Sequence, residues 1–161
     1  MNFKQIHIAI ILSLFFSFYQ LLFGIVNIDN DDYQDFVINL PYWFIFKACI
    51  GINALSLIYM YSSSIFSQDE ICDKITVHFI VCLLLVDVGL NALATDILIE
   101  SLILWKDEFS TINKNIYIYI SLWISVVVGY IIFCVSILLI YEIHRLKANY
   151  SRNYYSTINN M

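Results

Sequence analysis

Ionisable side chains inside long apolar stretches are the residues of this sequence best suited to chemistry with protons or ions. There are four of them: Lys47, Asp87, Asp96 and Glu100. If these stretches cross a lipid bilayer, a charge at mid-depth costs about 2.5–3.5 kcal/mol on insertion scales. Each of these residues therefore needs a compensating interaction or a functional role.

Lys47 has two acidic residues as predicted partners. It follows Trp43 by four residues, and Glu100 precedes Trp105 by five, so both lie about 6–8 Å below an aromatic belt at the helix rise of ~1.5 Å per residue. On antiparallel neighbouring helices they reach similar depth, with Asp96 one turn deeper than Glu100. We predict that Lys47 pairs with Glu100 or Asp96. Three interpretations remain open: an ion pair that fixes helix register, independent extension of each side chain to the interface, or a substrate or ion site.

Asp87 lies near the middle of the same stretch as Glu100, with Asn91 one turn away on the same helical face. Its offset from Glu100 is about 140° on an ideal helix, so it should face a different neighbour. By depth, Ser17 and Ser136 are candidate hydrogen-bond partners. Asp87 could be a carboxyl hydrogen-bonded inside the bundle, a proton- or cation-handling group, or a docking site for a partner's membrane helix.

Composition indicates which elements must position these residues. The chain has 161 residues, of which 61% are hydrophobic and 13% charged, whereas ordinary soluble domains have about 45–50% and about 25%. Four apolar segments are long enough to span a bilayer as helices, at about residues 5–27, 42–66, 75–105 and 116–141. We predict an all-α integral membrane four-helix bundle with up-down-up-down topology, and we expect the first segment to stay uncleaved.

The distribution of basic residues predicts the orientation. The helix ends on the same side of the membrane as the N-terminus carry more basic residues than the helix ends on the other side. These residues are Lys4, Lys74, Arg145, Lys147 and Arg152. Positive charge favours the cytoplasmic side, so both termini should be cytoplasmic. Residues 1–145 would then form the four-span domain, and residues 146–161 a polar cytoplasmic tail.

Small side chains cluster in the second segment and predict a surface for close helix packing. They are Ala48, Gly51, Asn53, Ala54 and Ser56.

The tail carries a short motif of the tyrosine-based sorting type, which runs from Tyr155 to Ile158. In an extended tail, the tyrosine and the isoleucine could enter two pockets of a cytoplasmic trafficking adaptor. The same pattern occurs elsewhere in this tyrosine-rich chain, so the motif by itself is weakly specific.

The end of the fourth segment, Leu138–Arg145, and the tail motif give the chain the layout of small tetraspan proteins. It loosely resembles the lysosome-associated four-span proteins and insect four-span proteins, but it lacks the cysteine pairs and PPxY tail motifs of the lysosomal group. This resemblance implies a non-enzymatic scaffold or trafficking role in the plasma membrane or in an endosomal or lysosomal membrane.

Enzymatic chemistry has little support in the sequence. We find no nucleophile–base pair, metal-ligand constellation or phosphate loop, and we expect neither catalysis nor a cofactor nor a bound metal. No basic tract suggests nucleic-acid binding. The expected partners are the lipid bilayer, other membrane proteins or further copies of the chain, and a trafficking adaptor. The alternative function is a proton- or ion-coupled channel or transporter component that uses Asp87.

Overall fold

A computed structural model of the chain describes residues 3–29, 39–63, 70–104 and 116–158, with side chains defined for 4–29, 39–63, 73–99 and 120–150. The described residues form four α-helices: α1 (Phe3–Val26), α2 (Leu40–Ser63), α3 (Glu70–Leu104) and α4 (Ile116–Ile158). Each of the four is long and apolar enough to cross a membrane. The predicted all-α class and the four span-length helices are confirmed.

The start of α2 is fixed by local hydrogen bonding. The Asn39 carbonyl accepts the Trp43 backbone N–H at 3.1 Å, so the helix begins two residues before the predicted start. Pro41 falls in the first turn, where its missing N–H removes no helical hydrogen bond. The end of α1 is closed by Asn27, whose Nδ2 donates to the Phe23 carbonyl at 2.8 Å.

Two helices are longer than a bilayer requires. α3 has 35 residues and α4 has 43, which correspond to about 52 Å and about 65 Å, against ~30 Å of hydrocarbon. α4 continues past Tyr141 to Ile158, so most of the predicted tail is helical. The continuation is supported by packing, because Ile143 is fully buried and Leu146 packs beside it.

The helices pack in chain order around a common core. α2 lies against α1 and α3, α3 against α4, and α4 reaches back to α1 and across to α2. The buried apolar side chains divide into two clusters. The Ile6 cluster consists of Ile6, Ile10, Ala54, Leu55, Ile58, Tyr61, Ile80, Leu84, Leu139 and Ile143. The Trp43 cluster consists of Leu40, Trp43, Phe44, Ala94, Leu98, Leu122 and Val126.

Each cluster combines the beginning of some helices with the end of others, which shows that consecutive helices are antiparallel. On α1 and α3, buried positions recur at alternating intervals of four and three residues. On α1 they are Ile6, Ile10, Ser13, Ser17, Gln20 and Gly24. This spacing is the seam of left-handed helix packing, as in coiled coils and many membrane bundles.

Apolar and polar residues are distributed in the opposite sense to a water-soluble bundle. Large apolar side chains cover the outer faces, among them Ile8, Phe15, Leu22, Phe79, Leu85, Ile131 and Leu138. Polar side chains lie inside, at mid-length. A soluble protein would leave such outer faces uncovered only at an interaction site, whereas hydrocarbon solvates them.

Candidate functional site

A layer of buried polar side chains separates the two apolar clusters, and we call it the polar layer. Its members come from all four helices: Ser13, Ser17, Gln20, Lys47, Asp87, Asn91, Ser125 and Ser136. On α3, for example, the order along the helix is Leu84, then Asp87 and Asn91, then Ala94. The core is therefore apolar at both ends and polar in the middle.

Lys47 is the cation of the polar layer, and its side chain is only 2% exposed. Nζ donates to Asn91 Oδ1 on α3 and to the Ser125 backbone carbonyl on α4 at 3.4 Å. The ammonium group also lies 5.2 Å from the centre of the Trp43 ring, within cation–π range. A single side chain on α2 thus contacts both α3 and α4.

Asp87 is the acidic residue of the polar layer and is 7% exposed. Its carboxyl and the Lys47 ammonium lie near enough to influence each other electrostatically, but within the described residues they form no salt bridge. Within the part of the chain that the structure describes, its carboxylate accepts no hydrogen bond. The serines predicted as partners of Asp87 do not bond to it. Ser17 Oγ donates instead to the Ser13 carbonyl at 3.3 Å, and Ser136 Oγ has no partner in the described residues.

The predicted pairing of Lys47 with Asp96 is wrong. Asp96 is exposed on the outside of α3, while Lys47 donates to Asn91 and to the Ser125 backbone carbonyl. Asp96 follows Asn91 by five residues, a rotation of about 140° around the helix, so the two cannot face the same neighbour. The Glu100 side chain lies outside the described residues, and so do those of Tyr155 and Ile158 on the last turns of α4.

Three members of the polar layer were not singled out from the sequence: Ser13, Gln20 and Ser125. Gln20 Nε2 on α1 donates to Ser125 Oγ on α4, which connects the first and last helices. The available signal was the run of polar residues at Ser13, Ser17 and Gln20, which share one face of an otherwise apolar helix.

Gly129 provides the space in which the polar layer meets α4. A Cβ atom on this residue would lie 2.5 Å from both Lys47 Nζ and Asn91 Oδ1, inside any ordinary contact distance. The absence of a side chain therefore lets the Lys47–Asn91 pair pack directly on the α4 backbone.

Three buried polar atoms have no hydrogen-bond partner in the described part of the chain. They are Asn91 Nδ2, Ser136 Oγ and Trp43 Nε1. Buried donors of this kind are normally paired with protein or with ordered water. Two of them, on Asn91 and Ser136, belong to the polar layer and could hydrogen-bond to a small polar guest or water there.

A second polar cluster adjoins the Ile6 cluster through Tyr61, where α2 ends and α3 begins. Lys147 on α4 forms a salt bridge with Asp73 on α3, and its ammonium group lies 4.5 Å from the centre of the Tyr61 ring. The Tyr61 hydroxyl is 3.4 Å from His144 Nδ1. These contacts join three helices at the end of the bundle.

Four apolar helices with apolar outer faces suggest a multi-pass integral membrane protein, and the buried polar layer is its distinguishing site. The chain matches no protein-family model, and neither a curated protein nor a solved structure is significantly similar to it.

Proposed function

We propose that this chain is a non-catalytic, multi-pass membrane protein that acts through protein partners as a scaffold. The observation that supports the proposal most is that the charges of the core are enclosed between the Ile6 and Trp43 clusters. Lys47 directs its ammonium group to protein atoms of α3 and α4. The hydrogen bonds of this ammonium group therefore hold α2, α3 and α4 together.

A channel or transporter needs a polar route from water to its charged site, built from residues that line a cavity. In this bundle, fully buried apolar side chains lie on both sides of the polar layer: Ile10 and Ile80 on one side, Leu122 and Leu98 on the other. A closed core of this kind fits a structural role for Lys47 and Asp87, in which the charge pair fixes helix register.

The second candidate function is a proton- or cation-coupled component of a channel or transporter that uses Asp87. The specific observation in its favour is that the Asp87 carboxylate, although buried, accepts no hydrogen bond in the described residues. The unpaired atoms of Asn91 and Ser136 would provide hydrogen bonds to a guest in the same layer. This function requires a second conformation in which one apolar cluster opens.

The tail motif favours a trafficking adaptor as one of the protein partners. Tyr155 and Ile158 lie on the last turns of α4, three residues apart, where a helix places them on one face. Adaptors that read such motifs bind an extended segment. Recognition would therefore require the end of α4 to unwind, which is inexpensive at a helix terminus because the last carbonyls lack helical partners.

Reconstitution into liposomes with a pH-sensitive dye inside separates the two functions. We expect vesicles with the wild-type chain to match protein-free vesicles under an imposed pH gradient or membrane potential. Proton or cation flux that disappears in Asp87→Asn would overturn the scaffold function and establish the second candidate.

The scaffold function is tested directly in native membranes with photoreactive amino acids. Placed at the exposed Phe15, which is 77% accessible, the probe should give discrete protein adducts, whereas at the buried Phe44 it should react only within the chain. Adducts with lipid alone from Phe15 and a panel of further outer positions would contradict action through partners.

A further inference from the structure

A narrow stripe of exposed residues runs along α2, although α2 is the most buried of the four helices. Its positions alternate at intervals of four and three: Tyr42, Phe46, Cys49, Asn53, Ser56, Met60 and Ser63. We call these residues the α2 stripe. The spacing equals that of the buried seam on α1, so the α2 stripe has the geometry of a helix-packing surface.

The middle of the α2 stripe differs from the other outer faces. Asn53 lies 13 residues from Leu40 and 10 from Ser63, which places it close to the centre of the span. The neighbouring positions of the stripe are the small residues Cys49 and Ser56. Exposed positions of α1 such as Leu12, Phe15 and Leu22 are instead large and apolar, and they offer no amide for pairing with another helix.

The Asn53 side chain is only partly satisfied within its own chain. Nδ2 donates to the Cys49 carbonyl one turn earlier at 2.8 Å. A primary amide has a second N–H and an oxygen with two lone pairs, and in the described part of the chain these have no partner. An amide left in this state at mid-membrane carries a desolvation cost of the kind that drives association of membrane helices.

We propose that the α2 stripe is the interface with a second copy of this chain, formed by parallel α2 helices with paired Asn53 amides. Two copies in one membrane share their orientation, so a two-fold axis along the membrane normal brings equal depths together. The free N–H of each Asn53 then donates to the Oδ1 of the other, which makes the group self-complementary. Cys49 and Ser56 allow the close backbone approach that this pairing needs.

This inference does not rest on the scaffold function, because a two-fold dimer is compatible with conducting and non-conducting cores alike. A second copy of the chain is the partner because Asn53 offers one donor and one acceptor at the same depth. A single asparagine in a helix seam selects this kind of in-register pairing.

The native Cys49 provides the test. In a variant with Cys72→Ser, Cys82→Ser and Cys134→Ser, Cys49 is the remaining thiol, and oxidation with copper phenanthroline in membranes should join two chains by a disulfide. The matched control retains only Cys134, an exposed thiol on α4, and should stay monomeric under the same oxidation.

Asn53→Leu in the Cys49-only chain should abolish most of the cross-linked dimer and weaken dimerisation by about 3- to 30-fold, the range of interhelical hydrogen bonds in membranes. Asn53→Gln, which keeps an amide, should retain part of it. Subunit counting by single-molecule photobleaching in lipid nanodiscs measures the same equilibrium without a cross-link.

Two results would overturn the proposal. One is a wild-type chain that remains monomeric in nanodiscs at high protein-to-lipid ratio. The other is a dimer that Asn53→Leu leaves unchanged. Equal thermal stability of the Asn53→Leu and wild-type monomers shows that the substitution acts at the interface, since Asn53 is exposed in the monomer.

Discussion

Lys47 on α2 donates a hydrogen bond to Asn91 on α3, and both side chains are buried between two apolar clusters. Through the Ser125 carbonyl, the same ammonium group also reaches α4. The bundle therefore has a central polar junction with defined geometry, while the apolar packing above and below it is less directional. Because these hydrogen bonds are directional, they favour one rotation of α2 relative to α3 and α4.

Lys47→Met should destabilise the bundle strongly. It removes the charged donor to Asn91 and the cation nearest to the buried Asp87, and leaving a buried polar group unsatisfied costs about 1–3 kcal/mol, and more for charged groups. Reversible unfolding of the purified protein in mixed detergent micelles, followed by tryptophan fluorescence, gives the free energy of unfolding. The double variant Lys47→Met/Asp87→Leu should recover part of this loss. Strictly additive losses would show that the two charges are not coupled.

Gly24→Ala should weaken the packing of α1 on α2. The added Cβ would lie 2.7 Å from the Pro41 backbone carbonyl oxygen, which cannot move aside as a side chain could. Overpacking of this kind costs about 1–3 kcal/mol. Gly89→Ala is the matched control, since a Cβ there meets nothing within 4 Å. The melting temperature of Gly89→Ala in detergent should equal or slightly exceed that of the wild type. A similar fall in melting temperature in both variants would contradict the close approach of Gly24 to Pro41.

Gln20→Leu and Ser125→Ala should be energetically coupled, because Gln20 Nε2 donates to Ser125 Oγ. A double-mutant cycle on the free energy of unfolding should give about 0.6–2 kcal/mol of coupling, as for other hydrogen bonds between membrane helices. Gln20→Leu combined with Ser136→Ala provides the comparison. Equal coupling in the two cycles would mean that the Gln20–Ser125 bond contributes nothing specific.

Asp73→Asn should lower stability modestly and in a salt-dependent way. Its salt bridge with Lys147 is partly accessible to solvent, and pairs of this type contribute about 0.5–1 kcal/mol. Raising the ionic strength should shrink the difference between variant and wild type, because ions screen exposed charges. Glu142→Gln breaks the pair with Arg145, whose side chain is 51% exposed, and should have the smaller effect on melting temperature.

Tyr155→Ala should change the steady-state localisation of the protein in cells if an adaptor reads the tail motif. Ile158→Ala should act in the same direction, because both side chains occupy pockets in this mode of recognition. Fluorescence microscopy of tagged chains gives the distribution among membranes. Tyr154→Ala, next to the motif, should leave it unchanged, and an unaltered distribution in all three variants would remove the trafficking form of the proposal.

The small-residue cluster of the second span illustrates the limit of sequence reasoning. Its members were predicted to form one packing surface. In the structure Ala48 and Ala54 are buried in the bundle and Gly51 approaches Ser17, whereas Asn53 and Ser56 face outward. Residue types suited to close packing thus serve two different faces, and composition alone does not distinguish them.

The sequence by itself determined the number of span-length helices and their approximate limits, because apolar length and backbone hydrogen bonding are local properties of each segment. It also placed Lys47, Asp87 and Asn91 within the apolar spans. Only the tertiary structure decided that Lys47 donates to Asn91 and Ser125 while Asp96 lies outside. A side chain's neighbour depends on the rotation of each helix about its axis, at about 100° per residue, and that rotation is set by packing among all four helices together.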